Sequence, residues 1–185
     1  MADQLALDLL DKGLCTDQLV MTVSYDNSNL TDPEIRKAYK GPVTKDYYGR
    51  KAPKHAHGTI HLERYTSSSR LITNAASDLF RQHVNPLLLV RRLDISAGNV
   101  ITEIEAQKKE AQEQSFEQMD LFTDYAALEQ KRRTEKEALE KDRKIQNAML
   151  SIQKKYGKNA ILKGRDLEEG ATARERNRQI GGHKA

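Results

Sequence analysis

The first hundred residues carry short apolar patterns whose period changes from one stretch to the next. MADQLALDLLDKG places Leu5, Leu9 and Lys12, with Leu10 alongside, on one side of a short helix that Gly13 can end. QLVMTVSYD then alternates, with Leu19, Met21, Val23 and Tyr25 pointing one way and Val20, Thr22 and Ser24 the other. That is a strand with one strongly apolar face. Residues 26–57 read as a long loop holding three of the four prolines and the basic tract KDYYGRKAPKHAH. GTIHLERYT returns to alternation, with Ile60 and Leu62 opposed to Thr59, His61, Glu63 and Tyr65. The run SSS then offers hydroxyls for a helix N-cap. RLITNAASDLFRQHV gathers Leu71, Ile72, Ala75, Ala76, Leu79, Phe80 and Val84 on one helical stripe, and Asn85-Pro86 stops it. LLLVRRLDIS is a last strand, ended by Gly98 and Asn99.

After Ile101 the texture changes. Residues 102–117 have almost no apolar content and read as a linker. Residues 124–156 read as a long helix that is polar all round in its first half. There Glu129–Arg133, Glu137–Lys141 and Glu140–Lys144 are spaced i,i+4 in the favourable order. Its second half gains the stripe Ile145, Met149, Ile152 and Tyr156, and Gly157 is placed to cap it. The remaining tail is rich in Gly and Arg and reads as disordered when free.

The expected fold is α+β: a small antiparallel or mixed sheet covered on one face by two helices, then a linker and a long solvated helix. The expected divisions are 1–101, a linker at 102–123, the helix at 124–157 and the tail at 158–185. The sheet's second face is left open.

Charge sharpens this picture. Of 185 residues 31% are charged and 5% aromatic, with a net charge of +4. Residues 1–30 hold one Lys against five Asp, whereas 31–100 hold 12 Lys and Arg against six Asp and Glu. Residues 102–150 are again acidic, and 151–185 again basic. Basic blocks raise the expectation of a polyanionic partner, although Lys and Arg also solubilise ordinary surfaces. The single Cys15 allows no internal disulfide, and no apolar run reaches the ~18 residues of a membrane span. A cytoplasmic protein with no membrane partner is expected.

Arg91 and Arg92 sit inside the last strand, where neighbours point to opposite faces. They suit a phosphate backbone or, equally, a charge-protected edge strand. Lys45, Arg50, Lys51, Lys54, His55 and His57, with Tyr47 and Tyr48, combine charge and rings in a Gly/Pro loop that grips nucleic acid or is simply solvated. His55, His57 and His61 lack a Cys or carboxylate to complete a metal-ligand spacing, so no metal or other cofactor is expected. No Gly-rich phosphate loop, nucleophile signature or strand-borne carboxylate pair is present, and no catalytic residue is assigned. QMDLF exposes Leu121 and Phe122 in polar surroundings, either as a first helical turn packing back or as a tethered docking peptide.

The run from QLALDLLDKGLCTDQLVMTVSYD through GTIHLERYTSSSRLITNAASDLF to VRRLDISAGNV resembles the little-finger domain of Y-family translesion DNA polymerases. The likeness is to the error-prone, SOS-mutagenesis (ImpB/MucB/SamB) type. QMDLF resembles the sliding-clamp-binding motif Gln-x-x-Leu-Phe that follows this domain, and RERNRQIGGHKA resembles the C-terminus of Gram-positive members. The resemblance implies an open sheet face lying along the DNA backbone at the replication fork, in translesion synthesis and DNA repair. Arg91 and Arg92 match a phosphate-contacting pair, and Arg64, Tyr65, Thr66 and Ser67 match a strand end that approaches the backbone. Gln118 would hydrogen-bond at the rim of the bacterial sliding clamp, while Leu121 and Phe122 fill its pocket. Met119 stands where Leu is usual and implies weakened docking. The family's palm, with its metal-binding carboxylates, would precede residue 1. The chain alone is therefore expected to bind primer–template DNA and the clamp but to synthesise nothing, unless a catalytic polymerase portion joins it. The competing reading is a helical protein-interaction adaptor with an incidental basic surface.

Overall fold

The computed structural model describes residues 1–45, 48–115, 125–180 and 183–184. The chain divides into two compact units, Ala2–Glu117 and Gln118–Ala185.

The first unit is built on β1 (Leu14–Tyr25), which follows α1 (Ala2–Asp11). Gly13, at φ +65°, supplies the left-handed turn between them. β1 pairs antiparallel with β4 (Ala56–Thr66) on one side and β5 (Val90–Gly98) on the other, and its start pairs with β6 (Ile101–Thr102). The order β4-β1-β5 makes β1 the central strand. Its alternation is as the sequence indicates: Leu19, Met21 and Val23 are fully buried and Tyr25 nearly so. Each such aliphatic side chain contributes about 1.5–3 kcal/mol by leaving water.

α1 and α3 (Ser69–His83) cover that apolar face. Ser68 caps α3, its Oγ accepting from Leu71 N at 3.4 Å. α3 buries Ile72, Ala75, Ala76 and Leu79, while Phe80 lies at the rim, 40% exposed. α1 buries Ala2, Ala6, Leu7 and Leu9, so its face is turned from the Leu5–Leu9–Lys12 stripe toward the alanines. Ala2, Ala6, Ala75 and Ala76 share one cluster, and such small side chains let two helices approach closely.

Three stretches differ from the sequence pattern. Residues 26–57 are not one loop. They form a 3-10 turn (Asn27–Leu30), α2 (Pro33–Ala38) and a hairpin of β2 (Val43–Lys45) and β3 (Lys51–Pro53) before β4 begins. Asp32 caps α2 with Pro33 at its first position. The first half of the expected linker is helical as well: α4 spans Glu103–Ser115. Thr102 and Glu105 close a reciprocal capping box, Thr102 N donating to Glu105 Oε2 at 2.9 Å and Glu105 N to Thr102 Oγ1 at 3.3 Å. Behind it run Ala, Gln, Lys and Glu, all good helix formers. The last strand starts at Val90, because Leu88 dips into the core between exposed Leu87 and Leu89.

In the second unit α5 spans Tyr125–Tyr156 and ends at Gly157, φ +93°. Arg133 reaches forward to Glu137 at 3.3 Å, where spacing alone pairs it with Glu129. The inward positions are Gln146 and Met149, whereas Ile145 and Tyr156 of the expected stripe are exposed. The tail carries a 3-10 turn (Gly164–Leu167), α6 (Ala173–Arg176) and the pair β7 (Gln179–Ile180) and β8 (His183–Lys184). Its order rests on amides: Asn159 Nδ2 donates to Arg174 O at 3.2 Å and accepts at Oδ1 from Asn177 Nδ2 at 3.0 Å.

Asn29 is the buried polar centre of the first unit. Fully enclosed, it donates to Asp26 O at 2.7 Å and Leu89 O at 3.0 Å, and accepts from Leu89 N at 2.8 Å. Asn29→Ala orphans the Leu89 amide and is expected to destabilise the chain by about 1–3 kcal/mol. Urea denaturation checks this, and a midpoint shift corresponding to less than about 0.5 kcal/mol would show the network to be dispensable.

Candidate nucleic-acid interface

The face of the sheet opposite the helices is open. Antiparallel register sets its side chains in rows: His57–Thr22–Asp94, Thr59–Val20–Ser96 and His61–Gln18–Gly98, with Arg92 beside Ser24. The rows are mostly polar, and two of them carry a bond between strands. Thr22 Oγ1 lies 3.0 Å from His57 Nδ1, and Gln18 Nε2 lies 3.3 Å from His61 Nε2. The Gln18 side chain lies over Gly98, where a Cβ would make its amide shift. Alternation along β1 and β4 makes this face legible in the sequence, but Gln18, Ser96 and Asp94 are site residues that a search for cations passes over.

β1 is irregular at both ends. Ser24 pairs with Arg92 and Tyr25 with Val90, so Arg91 is the extra residue of a bulge. The two arginines therefore do not simply alternate across a flat strand. Arg92 lies on the open face and is held by Asp94, at 2.8 Å from Nε to Oδ2 and 2.9 Å from Nη2 to Oδ1. Arg91 and Arg50 both act on Asp26. That carboxyl is held below the usual aspartate range chiefly by hydrogen bonding from Ser28, whose N donates at 2.8 Å, with the two arginine charges adding to the effect.

The β2–β3 hairpin packs against the 3-10 turn that follows β1. It sets Lys45 directly opposite Lys51, both exposed. Like charges opposed across a hairpin are unfavourable, and an anion between them removes the cost. Tyr48 lies beneath Arg50, 5.2 Å from guanidinium carbon to ring centre. Tyr47 lies outside the described residues. Lys54 and His55 follow on an exposed stretch leading to His57. One end of the sheet thus collects the hairpin cations, His55, His57, Arg91 and Arg92.

Arg64, Tyr65, Thr66 and Ser67 lie at the other end of β4, roughly 25 Å along the strand from His57. Tyr65 and Thr66 are engaged within the fold. Thr66 is buried and accepts from Ser68 N at 3.0 Å. Tyr65 carries Lys109 of α4 over its ring at 4.6 Å, with Nζ donating to the phenol oxygen at 3.2 Å. The residues expected to bind DNA therefore form two groups instead of one patch. Gln118, Met119, Leu121 and Phe122 lie outside the described residues.

Among the described residues no group of His, Cys, Asp or Glu is arranged to hold a metal ion, and no helix is long and apolar enough to cross a membrane. A family model described as the impB/mucB/samB family C-terminal domain matches residues 1–121. No curated protein matches the chain.

Capping carboxylates mark the two ends of the site. Glu105 is lowered like Asp26, first by the Thr102 amide and then by the Thr102 hydroxyl. Amide donors favour the ionised form, so the stabilisation is present at neutral pH and lost as pH falls from the ordinary carboxylate range through the lower range of these two groups. Followed by NMR, the Ser28 and Thr102 amides are expected to titrate below exposed Asp and Glu side chains. Titration in the ordinary carboxylate range would contradict both caps.

Proposed function

The chain belongs to the impB/mucB/samB family, whose C-terminal domain it carries, and from that membership we propose that Ala2–Glu117 holds the backbone of primer–template DNA without reading its sequence. The observation that carries the reading is the one-sided sheet. Its open face offers hydroxyl, amide and imidazole groups in rows, with Lys45, Arg50, Lys51, Lys54 and the two arginines of β5 gathered at one end. Hydroxyls and amides bond phosphate and sugar oxygens of any sequence, while the cations supply attraction. The role we assign is that of a non-catalytic module serving a translesion polymerase.

The second part of the proposal concerns QMDLF. Gln118 anchors at the rim of the sliding clamp, and Leu121 and Phe122 enter its pocket. Each buried side chain would contribute about 1.5–3 kcal/mol, enough for weak docking once ordering costs are met. Two weak sites on one chain raise each other's effective concentration.

Lys45→Gln/Lys51→Gln is expected to weaken duplex binding and to flatten the plot of log affinity against log salt by about 1.8, since each phosphate no longer neutralised removes about 0.9 from the slope. Fluorescence anisotropy in increasing KCl reads both, and wild-type affinity that does not respond to salt would sink the DNA reading. Leu121→Ala/Phe122→Ala is expected to abolish binding to purified clamp while leaving duplex binding intact. Unchanged clamp binding rejects the docking motif and favours the adaptor reading.

A further inference from the structure

The open face carries less positive charge than its arginine pair implies. Along the described register its outward positions hold one arginine, Arg92, and one carboxylate, Asp94, and a second exposed carboxylate, Glu63, lies two residues beyond His61 on β4. Arg92 is already engaged. Asp94, two residues along the same strand and on the same face, takes the Nε–Nη2 edge of its guanidinium, with Nε also 3.0 Å from Oδ1. The Nη1–Nη2 edge is left for an outside acceptor. Asp94 sits in the row next to Arg92, opposite Thr22, whose hydroxyl meets His57.

We propose that Asp94 sets the strength of this face's grip on phosphate, by occupying one edge of Arg92 and cancelling its charge where the DNA backbone must lie. This rests on the DNA reading given above and concerns the same face. Two effects of Asp94 oppose one another. It orients the guanidinium, which favours binding, and it repels the phosphate, which disfavours it. The side chains are 73% and 49% exposed, and orienting an exposed pair is worth little. A carboxylate beside the incoming phosphate acts at close range, so repulsion dominates. Asp94 is thus an affinity-setting partner that works through Arg92, and its removal strengthens the grip.

The test uses the full chain and a labelled primer–template duplex, titrated by anisotropy over a range of KCl concentrations. Asp94→Asn is expected to bind about three- to tenfold tighter near 0.1 M salt, with a slope steeper by about one, as if one more phosphate were neutralised. In an Arg92→Gln background the same substitution is expected to give a smaller gain, since only the direct repulsion of phosphate is left to relieve. Glu63→Gln removes a charge from the same face without touching the Arg92 pair, and is expected to give a smaller gain. Asp94→Ser repeats the test if Asp94→Asn melts early. Unchanged or weaker binding by both Asp94 variants overturns the inference. So does an equal gain without Arg92, or an equal gain from Glu63→Gln. A wild-type chain with no salt-dependent duplex binding removes the DNA reading and this inference together. A salt-sensitive wild type with unresponsive Asp94 variants removes this inference alone.

Discussion

The first unit depends on β1 being paired along both edges. A strand with neighbours on both sides has no freedom to slip, because a shift of one residue would turn Leu19, Met21 and Val23 out to solvent. That buried face fixes the register, and the register fixes the open face without further help. Thr22 stands between His57 and Asp94 because Met21 and Val23, its neighbours in sequence, point at the helices. The bulges at the two ends of β1 then decide what lies beyond the flat region. At its start the fully buried Thr16 sits 2.8 Å from Gln18 O and accepts from Gln18 N at 3.1 Å, holding the break in place. At its end the extra residue is Arg91.

The end that bears the cations is secured by polar contacts. Asn29 pairs with Leu89 as another strand would, and Asp26 N donates to Leu89 O at 2.9 Å. Asn85 N donates to the Tyr25 hydroxyl oxygen at 2.9 Å. These bonds tie the segment leading into β5 to the turn leaving β1. Since the β2–β3 hairpin rests on that same turn, Arg91, Arg50 and the hairpin lysines are drawn to one corner. Buried amides make the arrangement unforgiving, because each unmet donor or acceptor costs more than the bond contributes when made.

What could be read from the sequence follows the physics that imposes pattern. Long half-buried strands show their period, so β1 and β4 are legible, as are the helical stripe of α3 and the Ser68 cap. The β2–β3 hairpin is not, because three residues on each side are too few for alternation to stand out, and Pro53 argues against a strand. α4 lacks an apolar stripe and so reads as linker, yet Thr-Glu-Ile-Glu at its start is a capping signal in its own right. The tail is ordered by Asn159 and Asn177, whose partners are distant and leave no local trace. The Arg91 bulge is a property of the pairing, and no single strand's sequence contains it. The candidate site was legible as a set of cations, and illegible as a geometry of two groups separated by a nearly neutral face.

α4 changes how a clamp tether would work. A flexible coil lets a docking peptide search a volume that grows with its length, and effective concentration falls accordingly. Here 13 of the residues between the sheet and QMDLF are helical, a rise of about 20 Å along one axis. The helix is fixed to its own unit by the capping box, by buried Ala106 and by Lys109 on Tyr65. In general a stiff arm narrows the directions open to what it carries, where a coil does not. It strengthens joint binding where those directions suit the partner and forbids it where they do not. Tyr65 is the residue on which this turns. On the proposed DNA reading, a duplex drawn onto that strand end would meet Lys109 at the Tyr65 ring, the same contact that fixes α4 to the sheet.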